Sequence, residues 1–95
     1  MVKIDFKNFR LFSDIAHKKS KIVDIKEELA DAIYSQGTGV VHHALALKIY
    51  NSTQETELND KEVKLLLEFV NCVCSPNMID SLVEIINEEK KKTKD

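Results

Sequence analysis

A chain of 95 residues is long enough for one hydrophobic core and too short for two, so a single domain is expected. Its 43% hydrophobic and 32% charged residues, with two glycines and one proline, exclude a disordered tail and favour helices. Fourteen basic residues against sixteen acidic ones give a formal charge of -2, which provides no global positive field for nucleic acid or an anionic membrane.

The start, Met1-Val2-Lys3-Ile4-Asp5, lacks an apolar signal core, and nowhere do about 18 apolar residues run together. A soluble, cytoplasmic protein is therefore expected. Cys72 and Cys74 are the only cysteines. Two positions apart on a helix, they point about 200° from each other and cannot easily pair, which suits a reducing compartment. Asn51-Ser52-Thr53 matches a glycosylation acceptor, but without a secretion signal it reads as a chance match.

Val2, Ile4 and Phe6 alternate with Lys3, Asp5 and Lys7 as in a half-buried strand. Phe9 and Leu11 share a side, whereas Phe12 breaks the alternation and marks a bulge or a second strand. His17-Lys18-Lys19-Ser20 reads as a polar turn and Lys21-Ile22-Val23-Asp24-Ile25 as a returning strand, which predicts an antiparallel hairpin or a three-stranded meander. Asp24 and Glu27 have the spacing of a capping box. The helix they open carries Ile25, Leu29, Ala32 and Ile33 on one stripe and ends near Gln36, with Gly37 expected in the left-handed closing conformation.

Val40 to Tyr50 follows as a second helix. It is apolar around most of its axis, except near His42, His43 and Lys48, so it is expected to be buried or covered on two sides. Asn51 to Glu57 reads as a loop, with Thr56 and Leu58 able to extend briefly beside a strand. Asn59 caps the third helix, Glu62 completes its capping box, and Leu58 with Val63 has the spacing of a hydrophobic staple.

In this helix Val63, Leu66, Leu67, Val70, Val73 and Cys74 form the expected core side. Leu65, Phe69 and Cys72 form a second apolar side that either the hairpin or another molecule must cover, and they are the candidate interface. Ser75-Pro76 ends the helix and opens a fourth, in which Met78, Ile79, Leu82, Val83, Ile85 and Ile86 are apolar. The fold class is thus α+β, with a short N-terminal hairpin or meander packed on about four helices. Residues 1–88 form the domain and residues 89–95 a charged tail. In that tail Lys90, Lys91, Lys92 and Lys94 suit a solvated helix end better than a nucleic-acid contact, since no aromatic accompanies them.

Histidine and cysteine can ligate metal or support nucleophilic chemistry, but the spacing here opposes both. His42 and His43 diverge by about 100° on a helix, and Cys72-x-Cys74 lacks the spacing of a zinc knuckle. A site joining His42 or His43 to Cys72 across two helices would define a small metal protein or hydrolase, against the reading of cysteines as small core groups. Gly37-Thr38-Gly39 lacks the length and lysine of a phosphate loop. Glu27, Glu28, Asp60 and Glu62 fall in first helical turns, where they complement the dipole. The acidic stretch Glu55 to Glu62 could meet a basic partner, although such runs usually form a solvated face.

The segments Lys3-Ile4-Asp5-Phe6-Lys7-Asn8, Val23-Asp24-Ile25, Leu29-Ala30-Asp31-Ala32-Ile33-Tyr34, Ala46-Leu47-Lys48-Ile49-Tyr50 and Glu57-Leu58-Asn59-Asp60-Lys61-Glu62 together resemble small phage and prophage proteins. A hairpin followed by helices is also similar, at the level of fold analogy, to phage tail-assembly chaperones. The resemblance implies no active site. The expectation is a non-enzymatic protein–protein interaction module, from a phage or mobile element, without cofactor or metal. It would act on a protein partner or on itself rather than on nucleic acid or membrane; a morphogenesis factor is the alternative within the assembly class.

Overall fold

The computed structural model describes residues 2–92. Two short β ladders and four helices enclose one core, giving an α+β fold. The first strand, β1 (Val2–Ile4), buries Val2 and Ile4 and exposes Lys3, as its alternation predicts. It stops at Asp5, whose carboxylate accepts the backbone N–H groups of Lys7 and Asn8 at 3.0 and 3.2 Å and so folds Phe6–Asn8 into a 3-10 turn. Phe6 is therefore a buried turn residue rather than the third inward residue of a strand.

This turn divides the N-terminal region between two ladders. After it, β2 (Phe9–Phe12) pairs antiparallel with β3 (Ser20–Val23), placing Phe9 opposite Val23 and Phe12 opposite Ser20. β1 instead pairs antiparallel with β4 (Thr56–Leu58), in the register Val2 to Leu58 and Ile4 to Thr56. The expected hairpin is present as β2–β3, but β1 does not extend it into a meander: the Asp5 turn points the chain elsewhere, and the partner strand arrives from the far side of two helices. Lys3 and Glu57 face each other across that ladder at 3.8 Å, both well solvated, and such a pair adds little.

Helix α1 (Lys26–Gln36) begins one residue later than the capping box requires. Ile25 holds the cap position, and Asp24 contributes only by accepting the Lys26 N–H at 3.1 Å, so no reciprocal bond to Glu27 forms. At the other end Gly37 is extended (φ -70°), not left-handed. The positive φ sits at Gly39 (+128°), just before α2 (Val40–Asn51). Gly37 is required for space instead: a Cβ there would run into the Cβ of His42 and the carbonyl oxygen of Ile33.

α1 and α2 pack closely as a helical hairpin. Lys26 at the start of α1 donates to the Ser52 carbonyl just past the end of α2 (2.7 Å), a cation at the negative end of a helix dipole. The Ser52 hydroxyl in turn donates to the Lys48 carbonyl at 2.7 Å.

Helix α3 (Asp60–Val73) carries the predicted capping box in full. Asn59 Oδ1 accepts the Glu62 N–H and Glu62 Oε1 accepts the Asn59 N–H, each at 2.9 Å. Leu58 and Val63, the predicted staple, are both buried. α4 (Pro76–Lys92) opens at Pro76 as expected and runs on to Lys92, so the anticipated boundary at residue 88 falls inside a helix. The rest of the expected tail, residues 93–95, lies outside the described residues.

The core joins every layer. Val2, Ile4, Phe6 and Phe9 meet Leu29, Ala30 and Ile33 of α1, Leu45, Ala46 and Ile49 of α2, Leu66, Phe69 and Val70 of α3, and Leu82 and Ile86 of α4. α4 also fastens the hairpin through Phe12. The Ser81 hydroxyl accepts the Phe12 N–H at 2.9 Å in a buried position, and Asn77 Nδ2 donates to the Phe12 carbonyl at 3.1 Å. The radius of gyration, 12.8 Å, is close to the roughly 12 Å of a compact chain of this length, so apolar groups left outside are not a product of loose packing.

Candidate functional site

The expected interface on α3 is divided by the fold. Phe69 is buried (7% exposed), with the His42 ring of α2 tilted against it at 6.3 Å between centroids. Leu65 is half-buried in a groove that it lines with Val41, Ala44 and Leu45. Cys72 is exposed. The middle of this second side of α3, at Phe69, is thus turned toward α2, while Leu65 is partly open to solvent and Cys72 is exposed. Val73, expected in the core, is 42% exposed, while Leu67 and Cys74 are half-buried.

The histidine and cysteine candidates are not gathered into a site. His42 faces Phe69, with its Nδ1 buried and unpartnered, whereas His43 turns toward α1 with its ring 5.5 Å from that of Tyr34. Burial pushes the Cys74 thiol up from its ordinary pKa. Among the described residues, no group of three or more His, Cys, Asp or Glu side chains is arranged to hold a metal ion. The acidic stretch is likewise dispersed: Glu57 faces Lys3, and Glu62 caps α3 while bonding Lys48 at 2.8 and 3.0 Å.

What the structure leaves outside is α2. Only Leu45, Ala46 and Ile49 of this helix are buried, so the prediction of a helix covered on two sides is overturned. At 3.6 residues per turn, Val40, Ala44, Leu47 and Asn51 fall on one line directed away from the core, flanked by His43 and Tyr50. Val40 is 83% exposed, Leu47 45% and Tyr50 50%, and Tyr34 of α1 adds a further exposed ring at 65%. Tyr34, Leu47 and Tyr50 border a depression of about 170 Å³ floored by Ala30 and Ala46.

The only formally charged side chain of α2 is Lys48, and it is turned toward Glu62, so the outward line is uncharged. The sequence signal was present: a helix apolar all round has two faces to cover. Nothing in the linear pattern says which of them the core takes.

Fold and surface together define a small α+β domain with one helix apolar on both its inner and outer faces. Comparison with protein-family models, with curated proteins and with solved structures found no match to this chain. No helix of the described residues is long and apolar enough to cross a membrane.

Proposed function

We propose that the protein is a non-enzymatic interaction module that associates with a second copy of itself through the outer face of α2. The observation that carries this reading is the uncharged line of Val40, Ala44 and Leu47, flanked by Tyr50, on an otherwise compact domain. Exposed apolar side chains grouped on one helix face mark an interaction surface more often than scattered ones do.

The line is also self-complementary. A two-fold axis crossing α2 between Ala44 and Leu47 sets Ala44 of one copy against Leu47 of the other, small against large, and Val40 against Asn51. The small Ala44 lets the helix axes approach, and the two Tyr50 rings and Tyr34 rings would widen the contact on either side. α2 itself brings no charge into such a pairing, because Lys48 is directed to Glu62, and Asp31 of α1 stands at the border of the Tyr34–Tyr50 depression.

Sedimentation equilibrium over a concentration series tests it. The wild-type chain is expected to show a reversible monomer–dimer equilibrium, and Leu47→Glu to hold the chain as a folded monomer at every concentration. A wild-type chain that stays monomeric at high concentration, or a Leu47→Glu variant that dimerises equally well, would overturn the reading.

A further inference from the structure

Net charge averages over a segregated surface. From Lys7 to Val23 the chain has five basic side chains, Lys7, Arg10, Lys18, Lys19 and Lys21, against one acid, Asp14, although the whole chain is at -2. Arg10 is held by Glu88 at 3.0 Å. Lys18, Lys19 and Lys21 are exposed, and none of them forms an ion pair with a described residue. Asp14 is half-buried and accepts the Lys19 N–H at 3.0 Å, and Asp80 of α4 lines the same cleft as Ile15 and His17, so two carboxylates stand near the three exposed lysines and the balance at the tip stays basic.

Beside these lysines, at the tip of the β2–β3 connection, Ile15 stands 97% exposed with Ala16 next to it, and Ile22 on β3 is 61% exposed. The tip is not a loose loop. Ser13 N–H donates to the Lys19 carbonyl at 2.9 Å and His17 N–H to the Asp14 carbonyl at 3.2 Å. The His17 ring stacks on Phe12 at 4.0 Å, nearly parallel, with Nε2 3.3 Å from Asp80 of α4. Phe12 itself is fastened to α4 through Ser81 and Asn77. An apolar side chain is thus presented to solvent by a braced backbone.

We propose that this tip docks on an anionic phospholipid surface, with Ile15 entering the interface and Lys18, Lys19 and Lys21 lying at the headgroups. An anionic bilayer rewards both halves of the feature. Its surface potential attracts adjacent lysines, and its acyl boundary takes up an apolar side chain that water does not favour. A nucleic-acid backbone would reward only the lysines, and the ring beside them, that of His17, is already stacked on Phe12. Because the loop is already braced, little backbone freedom is lost when Ile15 enters.

The test is co-sedimentation of the full chain with vesicles of phosphatidylcholine alone and of phosphatidylcholine mixed with phosphatidylglycerol. Binding is expected only to the mixed vesicles and is expected to weaken with added salt. At about fivefold per lysine, replacing Lys18, Lys19 and Lys21 together by Gln should lower partitioning roughly a hundredfold. Ile15→Ser should lower it severalfold with every lysine intact. All four positions are exposed, so circular dichroism and the thermal midpoint should match the wild type and exclude misfolding as the cause. Three results would overturn the proposal: no binding to the mixed vesicles, Ile15→Ser binding as well as wild type, or a short DNA duplex bound in preference to the mixed vesicles at equal salt. Leu47→Glu leaves the hairpin untouched, so loss of the α2 contact and loss of lipid binding are separately visible.

Discussion

Gly37 and Gly39 are two residues apart and serve unlike needs. Gly37 has an ordinary extended backbone but no room for a Cβ between Ile33 and His42; Gly39 has open space around it but a φ of +128° that side chains rarely adopt. Each change to Ala is expected to destabilise the chain, by about 1–3 kcal/mol through overpacking at 37 and by a similar amount through backbone strain at 39. In denaturant titrations of double variants, trimming His42 to Ala leaves its Cβ in place and should rescue neither. A stable Gly37→Ala variant would show that the α1–α2 junction is less tight than the structure makes it. Glu62 gives a pH-dependent prediction. Burial works against its ionised form, but the Asn59 N–H and the Lys48 ammonium outweigh burial and hold its carboxyl below the ordinary glutamate range. A carboxyl depressed in the folded state stabilises the fold above the unfolded pKa of about 4.3, and that contribution is lost as pH falls through the folded value. Glu62→Gln should therefore lower stability by about 1 kcal/mol at neutral pH and flatten the acid limb of the stability curve below pH of about 4. An unchanged acid limb in that variant would contradict the account. The capping box was legible in the sequence because both its bonds are local, whereas the Lys48 contact depends on α2 lying beside α3.

Among the elements, the hairpin depends most on a distant helix. β2 and β3 form only a short two-stranded ladder, an arrangement that is marginal by itself in water. Its attachment runs through the Phe12 backbone, whose N–H and C=O both meet side chains of α4, the first in a buried position. Removing the Ser81 hydroxyl leaves a buried N–H without its partner, which costs about 1–3 kcal/mol. Ser81→Ala is accordingly expected to lower the melting temperature and to speed amide exchange at Phe12 and its β3 neighbours more than in α3; uniform acceleration across the chain would show that the hairpin is not a separately loosened unit. The polar turn and the β-branched run Ile22-Val23 located this hairpin in the sequence, whereas the alternation from Val2 to Lys7 falls on β1 and the turn after it, and none of these could reveal the fastening. Ser81 sits on the same helix as the apolar residues that define the core face and reads there as an ordinary small polar residue. In the same way Asp5 reads as the outward member of a strand, although its carboxylate folds the chain into a turn and sends β1 to β4.

For the whole molecule, the balance between inner and outer faces of α2 decides how the domain presents itself. If two copies associate through Val40, Ala44 and Leu47, mass action makes the wild-type thermal midpoint rise with protein concentration, while Leu47→Glu melts at one temperature throughout. Leu47 is already 45% exposed, so the charge should not unfold the monomer. The sequence by itself determined the α+β class, the four helices, the capping box at Asn59 and Glu62, and the break at Pro76. Each of these follows from groups a few residues apart, where periodicity, caps and ring constraints act through local geometry. Only the tertiary structure decided that β1 pairs with β4, and that Phe69 is covered by α2 while Leu47 and Val40 are left in water. Those outcomes depend on which of several equally apolar surfaces meet when distant segments pack. Hydrophobic burial is non-directional, so a helix apolar on two faces satisfies the pattern either way until its neighbours fix the choice.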